Sequence, residues 1–290
     1  MAARLPLIAI VGPTASGKTS LSIELAQKFN GEIICADSRT IYRGMDIGTA
    51  KPSIAEQTVV PHWGLDLVNP GERFTAADFQ QYAKHKIEEI RVRGHVPFLV
   101  GGTGLYINSV LYDYNFQNDY DPELRKKFNE KTIQELVNYC LINNINLPNN
   151  DKNKRHLIRA IETKNVFRSV NKTLLGNTKV VGITAESQDV LQNRILRRAH
   201  EIIDKGVVEE STLLSQKYGW ESEAMTGNIY PLVRNLLEGK ITRSELIDQF
   251  AIADRQLAKR QMTWFKRDVN VQWFSLKEAN TYLTNVLSEQ

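Results

Sequence analysis

The run Gly12-Pro13-Thr14-Ala15-Ser16-Gly17-Lys18-Thr19 places two glycines, separated by four residues, before a lysine and a threonine, a spacing suited to holding a phosphate ester. Backbone N–H groups of such a turn, and of the helix that follows it, converge on a polyanion. The Lys18 ammonium adds a point charge and the Thr19 hydroxyl suits Mg²⁺. The flanking residues supply the context this chemistry needs. Leu7 to Val11 reads as a buried strand, and Leu21 and Leu25 give the segment after the loop one inward face. A second chemical group is Asp37, which ends the apolar run Glu32 to Ala36. The carboxyl ends of parallel strands line the ligand crevice of an open sheet, so this carboxylate is expected beside the loop, as a general base or as an acid organising magnesium. An Asp capping the next turn is the plainer reading of the same residue. Gly101-Gly102-Thr103-Gly104 follows the apolar run Val96 to Val100. Its glycines permit close backbone approach and Thr103 offers a hydroxyl at a helix start, although a tight strand-to-helix turn accounts for it nearly as well.

Three further groups bear on the reaction. Arg194 and Arg198 are four residues apart on a helical pattern and share a face, from which one arginine can neutralise charge on a departing phosphate group, although a solvated helix face is the stronger reading of these residues alone. His62 and Asp66 could assist at the cleft, with a structural role favoured for a histidine beside Trp63. Val100 is followed by Gly101, not by the Asp that often organises Mg²⁺ and water in triphosphatases, which weighs against triphosphate hydrolysis.

These groups need a scaffold, and the first hundred residues alternate apolar strands (Leu7 to Val11, Glu32 to Ala36, Gly64 to Val68, Val96 to Val100) with helical patterns. A helix is predicted from Thr75, as N-cap, to about Arg93, where Gly94 stops it. The expected fold is α/β: a parallel-sheet core with a phosphate loop, wrapped by helices, with an inserted helical subdomain and a helical C-terminal region. Residues 1–112 and 179–290 are assigned to the core and 113–178 to the insertion, after which Lys179 to Ile183 resumes the sheet. Helices broken near Gly206, Gly219, Gly227 to Pro231 and Gly239 follow, then an edge strand at Val271 to Phe274 and a last helix from Lys277 to Val286.

At 290 residues and 42% hydrophobic content the chain can bury a full core, and no apolar run approaches a membrane span. Met-Ala-Ala-Arg-Leu-Pro leads straight into the first strand, so no secretory leader is expected, and the cytoplasm is the expected compartment. Cys35 and Cys140 lack metal-ligand spacing and read as buried small residues. The net charge of +4 is modest but unevenly spread: eight Lys/Arg face two acidic residues between Asp151 and Val180, and five face none between Arg255 and Arg267. Lys154, Arg155, Arg159 and Lys164 form one basic group; Lys259, Arg260, Lys266 and Arg267, interleaved with Gln261, Trp264 and Phe265, form another. Cations for phosphates and rings for unpaired bases indicate an RNA partner. A small-molecule kinase using Asp37, or a non-catalytic RNA-binding module, are the competing readings; the first leaves the basic helices idle and the second the phosphate loop.

With those residues in view the chain resembles the bacterial tRNA dimethylallyltransferases along nearly its whole length. The resemblance rests on Val11 to Thr19, on Ala36-Asp37-Ser38-Arg39 with Ile41 to Pro52, on Val100 to Tyr106, and on Leu257 to Phe265. It implies transfer of a dimethylallyl group from dimethylallyl diphosphate to N6 of the adenosine immediately 3′ of the anticodon, in tRNAs reading codons that begin with U. It also implies a tRNA anticodon stem-loop as partner, Mg²⁺ as cofactor and a monomer. Asp37 would take the N6 proton, Thr103 would contact substrate and Arg198 would stabilise the leaving diphosphate. Gly12, Pro13, Thr14, Ala15, Ser16, Gly17, Lys18 and Thr19 would hold the diphosphate, with Thr19 on the metal. Asp37, Ser38, Arg39, Thr40, Thr103, Arg125, Lys154, Arg155, Arg159, Lys259, Arg260, Gln261 and Trp264 would meet the tRNA. Two elements depart from the family pattern: Pro61-His62-Trp63-Gly64-Leu65-Asp66, where a second histidine is usual, and Thr226 to Pro231, where Ile-Gly-Tyr-Lys/Arg-Glu is usual. The insertion is also shortened after Leu141.

Overall fold

The computed structural model describes residues 5–116, 121–163 and 173–289. In chain order the elements are β1 (Leu7–Val11), α1 (Lys18–Lys28), β2 (Gly31–Ala36), α2 (Ile54–Val59), β3 (His62–Trp63), α3 (Ala76–Val92), β4 (Val96–Gly101) and α4 (Gly104–Leu111), then α5 (Pro122–Glu130), α6 (Ile133–Ile142) and α7 (Lys154–Thr163). The remainder comprises β5 (Thr178–Ile183), α8 (Gln188–Asp204), α9 (Val207–Tyr218), a 3₁₀ turn over Glu223–Thr226, α10 (Tyr230–Leu237), α11 (Arg243–Phe265), β6 (Gln272–Phe274) and α12 (Leu276–Ser288).

The chain forms two compact units, Met1–Asp113 with Thr173–Gln290, and Tyr114–Lys172. Residues 173–177, grouped with the insertion in the sequence reading, already bond the first unit. Leu175 N–H donates to the Leu111 carbonyl at 2.8 Å, and the Asn177 carbonyl accepts from Leu7 N–H at 2.9 Å.

In the first unit six parallel strands run in the order β3-β2-β4-β1-β5-β6. Every residue of β1, β2 and β4 is buried, as expected of strands covered on both faces. One core sets Ile8, Ile10, Ile33, Phe98, Val100 and Ile183 of the sheet against Leu21 and Leu25 of α1 and Leu283 of α12. Local signals set several boundaries. Thr75 caps α3 through a reciprocal box with Asp78, Gly94 ends it at φ 76°, and Thr132, Thr242 and Ser275 cap α6, α11 and α12 in the same way.

The strand expected over Gly64 to Val68 does not form; the edge strand is His62–Trp63 instead. Gly64 and Asp66 sit at φ 83° and 53°, outside the β region, and a Cβ on Gly64 would lie 2.7 Å from the Cys35 carbonyl. Val68 keeps only an isolated bridge to Tyr42. Adjacent strand residues point to opposite faces, which separates His62, on the cavity described below, from Trp63, whose Nε1 donates to Glu32 at 2.6 Å. Arg93 and His95 complete the shell around the buried Glu32 carboxylate, and their hydrogen bonds, with that of Trp63, hold it below its usual range against the burial that would raise it. The residue replacing the family's second histidine is thus a structural partner of Glu32.

In the second unit Phe128, Leu136, Cys140, Leu157, Ile158 and Ile161 make a small separate core.

Candidate functional site

Register brings the chemistry together. Val11 pairs with Gly101 and with Gly182, and Ala36 pairs with Gly101, so the segments leaving β1, β2 and β4 emerge on one edge of the sheet. Gly101 has no alternative there, because a Cβ would lie 2.1 Å from the Ala36 carbonyl oxygen. In the phosphate loop Gly12 and Gly17 adopt φ 150° and 90°, and Ala15 adopts φ 60°. Gly17 is the left-handed N-cap of α1, and no side chain caps that helix, so its N-terminal N–H groups are left for a ligand.

Lys18 follows at once, its Nζ donating to the Pro13 carbonyl at 2.9 Å. Burial, opposed by the Asp37 charge and reinforced by that of Arg198, lowers the ammonium from 10.5 to about 8. The three charges therefore sense one another. Asp37, Lys18, Thr19 and Arg198 line a common cavity of about 260 Å³, together with Thr14, Ile33, Cys35, Thr40, Thr49, His62 and Val100. Burial and the Asp37 charge raise the Cys35 thiol to about 12, which keeps it protonated and inert. His62 Nδ1 lies 2.7 Å from the Val60 carbonyl, and burial lowers its pKa, so the ring at this cavity is neutral.

A second cavity of about 360 Å³ shares Thr14, Lys18, Asp37, Thr49 and Arg198 and continues to Ser38, Arg39, Thr103, Asn228, Arg260 and Gln261. Thr103 locks its floor: its N–H donates to the Ala36 carbonyl at 3.2 Å, and its Oγ1 accepts from Ser38 N–H at 3.0 Å. Asp37 Oδ1 accepts from Arg39 N–H at 2.8 Å, so the carboxylate does cap its turn and still borders both cavities. Helix α11 closes this side. Gln261 Oε1 accepts from Thr14 N–H at 2.7 Å, and Cβ atoms on Gly102 and Gly104 would strike Gln261 and Trp264, each at 2.2 Å. Lys259, Arg260 and Trp264 are exposed on the same helix. A third groove, about 860 Å³, flanks the phosphate loop and is lined by Arg194, Arg197, Arg198, Lys51 and Lys277.

Not every candidate stands at a cavity with its charge free. Arg39 reaches the 3₁₀ turn, donating to the Glu223 carbonyl at 3.1 Å and to Thr226 Oγ1 at 3.1 Å. Thr40 is buried, and Ser16 is wholly buried with a hydroxyl that lacks a partner. In the second unit Arg125 and Arg159 both pair with Glu162, at 3.5 and 3.3 Å, and Lys154 donates to the Asn129 carbonyl at 2.6 Å. Arg155 is exposed. Lys164 lies outside the described residues.

Long-range partners supply what local reading missed. The Glu210 carboxylate on α9 accepts from the N–H groups of Asp46, Ile47 and Gly48 at 2.8, 2.6 and 2.9 Å, and from the Tyr230 hydroxyl at 3.0 Å. Lys51, 3% exposed at its side chain, pins the same loop to Asp46 and Asp66. Gly48 and Thr49 are thereby held at the cavity wall. No alternation or capping signal links Glu210 to residues so distant in the chain.

For Mg²⁺ the donor set fits. Thr19 and Asp37 offer oxygens beside the phosphate loop, and among the described residues no group of three or more His, Cys, Asp or Glu side chains forms a cage. Mg²⁺ commonly binds through one or two protein oxygens, with substrate phosphates and water completing its shell.

A phosphate loop, an acid, a hydroxyl and an arginine line adjoining cavities, an arrangement suited to holding a phosphate ester beside a reacting group. The profile described as IPP transferase matches residues 40–268, and one described as isopentenyl transferase matches residues 5–63. The tRNA dimethylallyltransferase of Halalkalibacterium halodurans is 37% identical, over 94% of this chain and 92% of its own. That of Syntrophomonas wolfei is 40% identical, over 93% and 91%. The crystal structure of the full-length tRNA isopentenylpyrophosphate transferase of Bacillus halodurans superposes with a TM-score of 0.73 at 36% identity, covering 98% of this chain and 97% of that one. A eukaryotic dimethylallyltransferase acting on tRNA shares the fold, with a TM-score of 0.75 at 23% identity, over 94% of this chain and 74% of its own. The chain belongs to the tRNA dimethylallyltransferase family of prenyltransferases. Among the described residues no helix is long and apolar enough to cross a membrane.

Proposed function

We propose that the chain transfers the dimethylallyl group of dimethylallyl diphosphate to N6 of the adenosine immediately 3′ of the anticodon, in tRNAs reading codons that begin with U. The observation that carries this reading is the junction of two cavities at Asp37, Lys18 and Arg198, one bounded by the phosphate loop and the other reaching Arg260 and Gln261 of α11. The donor enters from the loop side and the flipped base from the other.

The diphosphate rests on the uncapped N-terminal N–H groups of α1, with the Lys18 ammonium and the Arg198 guanidinium beside it. Ile33, Cys35 and Val100 give the cavity an apolar inner wall for the five-carbon tail. An adenine amine is a weak nucleophile because its lone pair is delocalised into the ring. Asp37 accepts the N6 proton as the nitrogen–carbon bond forms, and the carbon–oxygen bond electrons leave with the diphosphate. Charge grows on the departing oxygens, where preorganised donors have their largest effect. Bound through Thr19, Mg²⁺ would add Lewis-acid stabilisation of that charge. Thr103 holds the Ser38 backbone and keeps Asp37 at the junction. Lys259, Arg260, Gln261 and Trp264 engage the anticodon loop, and the second unit adds cations for the RNA backbone, with Arg155 the most exposed of its candidates.

Incubation with labelled dimethylallyl diphosphate and an anticodon stem-loop tests the assignment. Label in the RNA, with one diphosphate released per prenyl group, is expected. Unlabelled RNA, with ATP consumed in a phosphoryl transfer instead, would overturn it.

A further inference from the structure

Arg198 approaches the phosphate loop from α8 with part of its guanidinium already engaged: Nη1 donates to Oδ2 of Asp254 on α11. Asp254 is 3% exposed. Its second oxygen, Oδ1, accepts from Nδ2 of Asn228 at 3.0 Å. A carboxylate so deeply buried is costly unless both oxygens are partnered, and these two bonds meet that need. Asn228 lies in the element Thr226 to Pro231 that departs from the family pattern, so the departure brings in the side chain that holds Asp254. Arg198 borders all three cavities, whereas Asp254 and Asn228 border only the one reaching Thr103, Arg260 and Gln261.

We propose that Asp254, oriented by Asn228, is the positioning residue for Arg198. The bond from Oδ2 fixes one edge of the planar guanidinium, and the remaining N–H groups of a side chain that cannot lose its proton are left for the departing diphosphate. Without that bond the arginine is a long, rotamer-rich side chain beside the Lys18 ammonium, whose charge repels it. The proposal rests on the prenyl-transfer reading for its kinetic consequence, but not for its effect on diphosphate binding.

The test is a double-mutant cycle of Asp254→Asn and Arg198→Gln, read as kcat, KM for tRNA and the Kd of inorganic diphosphate. Asp254→Asn keeps the shape and an acceptor for Asn228 but turns an amide donor toward the guanidinium. Loss of one charge-assisted hydrogen bond should lower kcat by about 10- to 100-fold. KM for tRNA should stay within about twofold. Diphosphate binding should weaken in the wild-type background, and in the Arg198→Gln background Asp254→Asn should change neither quantity by more than about twofold. Asn228→Ala, which leaves the Arg198 bond in place, should lower kcat by a smaller factor and be equally silent without Arg198. Should Asp254→Asn fail to fold, the Asn228→Ala cycle decides alone. Equal losses in both backgrounds, or unaltered diphosphate affinity in the single variants, would overturn the proposal. An enzyme that binds diphosphate in the predicted pattern yet labels no RNA would instead refute the prenyl-transfer reading.

Discussion

Lys18 should destabilise the ligand-free fold, and replacing it with methionine should make the protein more stable and inactive. A fall from 10.5 to about 8 corresponds to a cost of roughly 3 kcal/mol for keeping the ammonium charged in the folded state, at ~1.4 kcal/mol per tenfold change in equilibrium. Losing the bond to the Pro13 carbonyl returns about 1 kcal/mol of that, leaving a net gain of about 2 kcal/mol for Lys18→Met at pH 7. For a unit of this size such a gain raises Tm by about 4–8 °C. The folded pKa lies below the unfolded one, so the cost is complete below about pH 8 and disappears as pH rises from there to 10.5. The gap between variant and wild type should therefore shrink to near zero by about pH 9.5. Urea unfolding at pH 7 and pH 9.5, with and without inorganic diphosphate, measures each part. Diphosphate at a hundred times its Kd should add about 2.7 kcal/mol to the wild type and much less to the variant. A variant less stable than wild type at pH 7 without anion, or a gap that widens with pH, would refute the assignment of Lys18 as a partly buried cation awaiting a polyanion.

Asp37→Ala should reduce kcat by about 10²- to 10⁴-fold, the usual contribution of a positioned base, while tRNA affinity measured by filter binding changes little; unchanged turnover would remove Asp37 from the chemistry. Arg260→Ala or Lys259→Ala should weaken tRNA binding and lower the slope of log K against log salt by about 0.7–0.9 for each RNA phosphate left without its cation; an unaltered slope would show that the side chain meets no phosphate. Glu210→Gln replaces one acceptor oxygen with a donor and should release part of the Asp46 to Gly48 backbone, raising KM for the donor several-fold; a KM that stays put would show that this loop does not shape the donor cavity.

Where pattern and partner are adjacent in sequence, expectation and structure agree. Thr75 with Asp78, Gly94, the buried strands β1 and β4, and the parallel α/β architecture all follow from short-range rules of capping and burial. The run Gly64 to Val68 looks apolar enough for a strand, but Gly64 passes close over the Cys35 carbonyl at a positive φ, and no strand forms there. That passage exists only in three dimensions. The basic residues show a similar divide. Clustering in sequence marks Arg159 and Lys259 alike, but Glu162 engages the first while Lys259 stands exposed on α11.

By itself the sequence determined the anion-binding loop, the fold class and the family, because a phosphate cradle is made of consecutive backbone N–H groups whose geometry a few glycines dictate. Tertiary structure alone decided which charged groups meet there. Asp254 finds Arg198 and Asn228, Gln261 finds Thr14, and Glu210 finds Asp46 to Gly48 through packing of helices far apart in the chain. Burial makes each such pairing consequential, since a charge removed from water must be satisfied by whatever the fold brings beside it.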